Sequence, residues 1–254
     1  MSVILDVRNV SVRFGGVLAL DKVSFAVDQG EFLCLIGPNG AGKTTLMRAV
    51  TAVVKPQTAQ VLLAGRNISN LPTHKRARLG LALTHQIVRP FRSMTVLDNV
   101  ALTAGHQLLG RILTSMVSAD RRAARKQARQ YLELVGIEDV AQKSAAGQPL
   151  GVTKRLEVAR VLALEPQVLL LDEPLAGLNS IEAARLADTV ADINRQGLTV
   201  VMIEHNLGEV LRVSQRLVVL DNGRKIADGR PRDVMRDPTV RAAYVGKERQ
   251  HAAA

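Results

Sequence analysis

Three short segments carry residue types and spacings that could act on a phosphate ester. Gly37-Pro38-Asn39-Gly40-Ala41-Gly42-Lys43-Thr44 fits the pattern G-x-x-x-x-G-K-[ST], whose glycines let the backbone curl and turn its N–H groups toward phosphate oxygens. Lys43 would set a point charge on the β- and γ-phosphates, and the Thr44 hydroxyl could ligate Mg²⁺. A helix expected over residues 44–53 adds the positive end of its dipole, with Thr45 in its first turn. Asp172 and Glu173 follow four apolar residues, Val168 to Leu171. Asp172 is placed to hold Mg²⁺, directly or through water, and Glu173 to orient and deprotonate a water attacking the γ-phosphate. An acidic pair at a strand end also serves as a helix cap or solvent contact, and only the phosphate loop tips the reading toward catalysis. His205 closes a third apolar segment, Thr199 to Ile203. Its imidazole could hydrogen-bond the γ-phosphate and hold the water, whereas a lone strand-end histidine is usually a satisfied polar group.

These residues need a common edge to stand on. Phe32-Leu33-Cys34-Leu35-Ile36, Val168 to Leu171 and Thr199 to Ile203 are continuous apolar runs, as expected of strands buried on both faces of a parallel sheet. All three end in glycine or in chemically active residues, at the edge where open α/β sheets bind ligands. Between the second and third runs the pattern predicts a helix. Asn179 caps it with Glu182 three residues on, Ala183, Leu186, Ala187 and Val190 form its apolar stripe, and Gly197 ends it. Strand, helix, strand implies right-handed crossovers. Near the N-terminus the texture differs: Val10, Val12 and Phe14, then Val23, Phe25 and Val27, alternate with polar residues around Gly15-Gly16. That pattern predicts a small half-buried antiparallel sheet. Asp221-Asn222-Gly223 predicts a hairpin between Leu217 to Leu220 and Lys225 to Ala227.

Residues 89–161 read as helical and interrupt the sheet pattern. Ala124, Ala128, Leu132 and Val135 recur at helical spacing, with Gly136 as a stop. Arg121, Arg122, Arg125, Lys126 and Arg129 lie beside that stripe, either as a solvated basic face or as a contact for lipid headgroups or a partner. The net charge of +11 fits several partners and selects none. Aromatic residues make up 2% of the chain, too few for the stacking platforms of a single-strand nucleic-acid binder. The one cysteine, Cys34, excludes an intrachain disulfide. The first residues lack the apolar core of a signal peptide, and nowhere do about 18 apolar residues run together, so no bilayer-spanning helix is expected.

Together these segments resemble the ATP-binding subunits of ABC transporters, over about residues 4–246 and in the family's order. The resemblance implies an α/β P-loop NTPase fold (RecA-like), mostly parallel in its core sheet, with an N-terminal antiparallel β-subdomain and an inserted helical subdomain. It divides the chain into a first core part (1–88), a helical subdomain (89–161), a second core part (162–236) and a tail (237–254). It implies ATP and Mg²⁺ as ligands, and adds Gln86 as the glutamine-loop ligand of Mg²⁺ and Phe14 as the aromatic that stacks on adenine. Partners implied are transmembrane permease subunits, a second cassette and an extracytoplasmic solute-binding protein, with no nucleic acid. The chain would sit peripherally on the cytoplasmic face of the inner membrane.

The resemblance has two departures. Asn179 stands where the dimer-contacting loop usually ends in Asp. Gln148-Pro149-Leu150-Gly151-Val152 stands where the family carries Leu-Ser-Gly-Gly-Gln, so only Gly151 remains to bind the opposite subunit's γ-phosphate. Pro149 has neither hydroxyl nor N–H. Gly151, the N-terminus of a helix expected from about Val152, and the Thr153 hydroxyl are the candidate replacements. Val12 to Gly16, Ser93 to Val100, Ala176 to Asn179, Glu204-His205-Asn206 and Tyr244-Val245-Gly246 resemble the importers of branched-chain amino acids. A non-transport ABC ATPase acting on ribosomes or nucleic acid, or a regulator impaired in hydrolysis, is the rival expectation.

Overall fold

The alternating and the continuous apolar segments build two different sheets. The computed structural model describes residues 2–84, 90–109 and 117–251. Its strands are β1 (Val3–Phe14), β2 (Val17–Asp28), β3 (Phe32–Ile36), β4 (Thr58–Leu63), β5 (Arg66–Asn67), β6 (Leu81–Leu83), β7 (Val168–Asp172), β8 (Thr199–Ile203), β9 (Arg216–Asp221) and β10 (Arg224–Gly229). Its α-helices are α1 (Lys43–Val50), α2 (Thr73–Arg78), α3 (Val96–Leu109), α4 (Val117–Leu134), α5 (Leu150–Leu162), α6 (Ser180–Arg195), α7 (Leu207–Val213), α8 (Pro231–Val234) and α9 (Pro238–His251).

The antiparallel sheet has the order β2-β1-β4-β5, with Phe14 opposite Val17 across the Gly15-Gly16 turn. β1 and β2 are longer than the alternating runs foretold. Register shifts between Val7 and Val10 and between Val10 and Val12, with Asn9 at φ 51°, break the period of two within β1. One strand therefore reads as two pieces.

The second sheet runs β10-β9-β3-β8-β7-β6. All its pairs are parallel except β9 with β10. Asn222 and Gly223 both take positive φ, 45° and 75°, as a two-residue hairpin turn of the I′ kind requires. β3 shows why its sequence is apolar throughout. Phe32, Cys34 and Ile36 enter one core, and Leu33 and Leu35 enter the other, because successive side chains point to opposite faces.

The helices follow their local signals. Asn179 and Glu182 form the expected capping box at the start of α6. α1 ends earlier than expected, at Val50, where Thr51 caps it and Ala52 turns to φ 61°. α5 begins two residues before the expected Val152, with Pro149 as its cap. Ala124, Ala128, Leu132 and Val135 are buried, and α3, α4 and α5 pack on one another. Part of the basic arc is paired: Arg125 grips Asp98 at 2.9 and 2.7 Å, and Arg129 lies 3.7 Å from Glu138. Among the described residues no helix is long and apolar enough to cross a membrane.

Candidate active site

The site grows from the C-terminal edge of the parallel sheet. Register sets Leu35 beside Ile203 and Ile203 beside Asp172. Residues just beyond these positions, Gly37, Glu173, Glu204 and His205, therefore emerge along one rim. Gly37, Gly40 and Gly42 take φ values of 143°, 79° and 100°, which side-chain-bearing residues adopt only under strain. Space tightens the requirement. A Cβ on Gly37 would stand 2.0 Å from the Leu220 carbonyl oxygen, and one on Gly42 would stand 2.9 Å from that of Ala19. The loop then feeds α1, whose first turn holds no acidic residue to neutralise the dipole. The resulting cleft is lined by Ala19, Asn39, Gly40, Ala41, Gly42, Lys43, Thr44, Thr45, Glu173 and His205. Phe14, half exposed at the end of β1, stands outside that lining.

Lys43 is buried and donates to the carbonyls of Gly37 at 2.7 Å and Pro38 at 3.1 Å. The ammonium thus sits inside the curl of its own loop. The Thr44 hydroxyl donates to Asp172 Oδ1 at 3.1 Å. The two are a hard oxygen pair of the kind that could hold Mg²⁺ beside substrate phosphates. Among the described residues no cluster of three or more His, Cys, Asp or Glu side chains forms an all-protein metal cage, and a nucleotide-bound Mg²⁺ needs none. Gln86, the remaining metal candidate, lies outside the described residues. Burial pushes the Asp172 carboxyl above its usual range, opposed by the Thr44 hydroxyl and the charges of Arg48 and Lys43.

Glu173 takes φ 52°, an unusual backbone for a non-glycine residue. Its amide donates to the Ile203 carbonyl at 3.0 Å, and its carbonyl accepts from Lys154 Nζ at 3.0 Å. Its carboxylate Oε1 lies 2.9 Å from His205 Nε2. A carboxylate and an imidazole in direct contact thus stand at the mouth of a phosphate cradle, where the remaining acceptor capacity of the carboxylate can hold a water.

A model described as "ABC transporter" matches residues 20–176. The branched-chain amino acid transport ATP-binding protein LivG of Salmonella typhimurium is 37% identical over 250 residues, covering 96% of this chain and 98% of LivG. The chain belongs to the ABC transporter family. It is one of the family's ATP-binding subunits, an ABC transporter ATPase. BraF of Pseudomonas aeruginosa, named a high-affinity branched-chain amino acid transport ATP-binding protein, is 38% identical over 251 residues, covering 96% of this chain and 98% of BraF. A second model, described as "Branched-chain amino acid ATP-binding cassette transporter", matches residues 224–249. The solved ADP conformation of MJ1267, an ATP-binding cassette of an ABC transporter, is 29% identical with a TM-score of 0.84. That likeness covers 97% of this ABC ATPase and 100% of MJ1267.

Three residues of this ABC ATPase stand at the site without having been assigned a role there from the sequence. Glu204 is buried and accepts from the Leu175 amide at 2.6 Å and the His205 amide at 3.1 Å. Burial raises its carboxyl, and the two amides oppose that rise. Burial pushes the Tyr244 hydroxyl of α9 up to about 12, opposed by the Gly37 amide. Lys154 is the third. It lies with Glu157 and Val158 on the buried face of α5, and a lysine within an apolar stripe is the signal that could have flagged it.

The structure also revises the signature segment. The Thr153 hydroxyl donates to the Leu150 carbonyl at 2.8 Å, the back-bonding habit of a threonine near a helix start. Its proton is thus engaged within α5. Thr153→Val should leave phosphate release within about twofold of wild type, as for a surface change away from special contacts. A tenfold loss would return the hydroxyl to the site.

Proposed function

We propose that this ATPase drives import of branched-chain amino acids as one of two cassettes bound beneath transmembrane permease subunits. It would act at the cytoplasmic face of the inner membrane, with cargo delivered by an extracytoplasmic solute-binding protein. The observation that carries the catalytic part is the 2.9 Å contact between Glu173 and His205 at the mouth of the loop that buries Lys43. Support for the cargo comes from the names of LivG and BraF and from the C-terminal match.

In this reading the amides of residues 37–45 orient the phosphates, Lys43 leaves its carbonyl partners for the β- and γ-oxygens, and Phe14 stacks on adenine. Thr44, Asp172 and Gln86 would hold Mg²⁺, whose charge offsets that of the transferring phosphoryl oxygens. Glu173 accepts the proton of the attacking water while His205 holds the carboxylate and contacts the γ-phosphate. Gly151 and the first turn of α5 cap the nucleotide of the opposite cassette. Only half of each pocket then lies on one chain, so hydrolysis requires the dimer. Residues 89–161 would grip the permease, with 1–88 and 162–236 as the ATP-binding core.

The reading is tested in proteoliposomes holding the permease, this ATPase and the solute-binding protein, given labelled leucine, isoleucine or valine. Uptake should require enclosed ATP and Mg²⁺. ATP hydrolysis without uptake of any of the three would overturn the cargo, and no hydrolysis would overturn the site.

A further inference from the structure

Lys154 joins two places that the proposed mechanism keeps apart. It lies in the second turn of α5, three residues after Gly151, and is 6% exposed. Residues three apart on a helix share a face, so Lys154 moves with the first turn. That turn has little slack. A Cβ on Gly151 would stand 2.8 Å from Glu182 Oε1, and one on Gly177 would stand 2.9 Å from Leu150 Cδ2. The first turn therefore abuts the 177–182 segment, which follows Glu173 closely in the chain.

At its other end Lys154 donates to the Glu173 carbonyl at 3.0 Å. Glu173 holds its φ of 52° only because its surroundings over-determine it. Its peptide neighbours are fixed from two sides, by the Ile203 carbonyl on the amide and by Lys154 on the carbonyl. The ammonium also lies in the field of Glu204, Glu173, Glu157 and Asp172. Buried charges of this kind persist when opposite charge and hydrogen bonds compensate them. An apolar residue would pack at this position without that requirement.

We infer that Lys154 is a positioning residue that links the two nucleotide sites of the cassette dimer. It holds the backbone of Glu173, whose carboxylate serves the chain's own nucleotide. It rides on the helix whose first turn serves the partner's nucleotide. Engagement of that turn by the opposite γ-phosphate shifts Lys154 and re-aims Glu173 against His205. This link rests on the site reading proposed above.

The test measures ATP hydrolysis against ATP concentration in the reconstituted transporter, for wild type, Lys154→Met and Lys154→Gln. Lys154→Met keeps the apolar stem and removes donor and charge. It should lower kcat tenfold or more, leave KM for ATP within twofold, and bring the Hill slope down toward one. Lys154→Gln keeps a neutral donor, guards against a misfolded methionine variant, and should shift kcat and slope in the same direction. A kcat within twofold of wild type would overturn the inference. So would a kcat that falls in step with nucleotide affinity and thermal stability, since that is plain structural damage. An unchanged Hill slope, or a wild-type slope of one, would overturn the link between sites. Wild type and Lys43→Ala run alongside. If wild type does not hydrolyse ATP the site reading fails, and if it does while both Lys154 variants match it, only the link fails.

Discussion

Glu173→Gln should stop steady-state hydrolysis while leaving ATP bound, and the ATP-loaded dimer should accumulate. The substitution changes one property. Glutamine keeps the length of the side chain and an oxygen that can face His205 Nε2, now 2.9 Å from the carboxylate. The bonds from the Glu173 peptide to Ile203 and Lys154 are untouched, because they use backbone atoms. The phosphate loop and the Thr44–Asp172 pair are not involved. What disappears is the ability to take a proton from water. A positioned general base contributes about a hundred- to ten-thousand-fold in rate, and that range is the expected loss in kcat. In the proposed mechanism, closure of two cassettes needs bound nucleotide and reopening needs its cleavage. The variant should therefore run as a dimer in size-exclusion chromatography with ATP and Mg²⁺, and as a monomer with ADP. A monomer under both conditions, or phosphate release within threefold of wild type, would count against the assignment of Glu173.

The parts of the site legible in the sequence are those whose chemistry is local. The phosphate loop compresses turn, dipole and charge into eight residues, and Asp172-Glu173 is an acid pair at the end of an unbroken apolar strand. Asp221-Asn222-Gly223 specifies its own turn. What could not be read is what the register brings together. Lys154 and Glu173 meet from different elements, as do Glu204 and Leu175. The Gly37 amide bears on the Tyr244 hydroxyl from far away in the chain. None of these pairs leaves a periodic trace. β1 was legible only in part because its bulges near Asn9 reset the alternation. The Thr153 contact is local and could have been foreseen. It depends on a helix that begins at Leu150, two residues before the sequence pattern places its start.

Lys43→Ala should weaken nucleotide binding most directly, and the structure indicates that it should also loosen the empty loop. Lys43 Nζ donates to the carbonyls of Gly37 and Pro38, so the ammonium closes the curl from inside before any phosphate arrives. A hydrogen bond to a charged group contributes about 1.5–3 kcal/mol, or roughly ten- to a hundred-fold in affinity. The dissociation constant for ATP should rise by that factor, and kcat/KM should fall further, because charge on the γ-oxygens grows toward the transition state. Removing the ammonium also leaves two buried carbonyls without their donor, so thermal unfolding of the nucleotide-free protein should occur earlier. Lys43→Arg separates the two effects. Its charge is kept, but a planar fork does not fit a point-charge cradle between two adjacent carbonyls. It should bind ATP nearly as poorly as alanine while unfolding at a temperature closer to wild type. Wild-type affinity in both variants would mean that residues 37–44 do not hold the phosphates. The ATP-loaded dimer expected of Glu173→Gln would then have no ligand to form around.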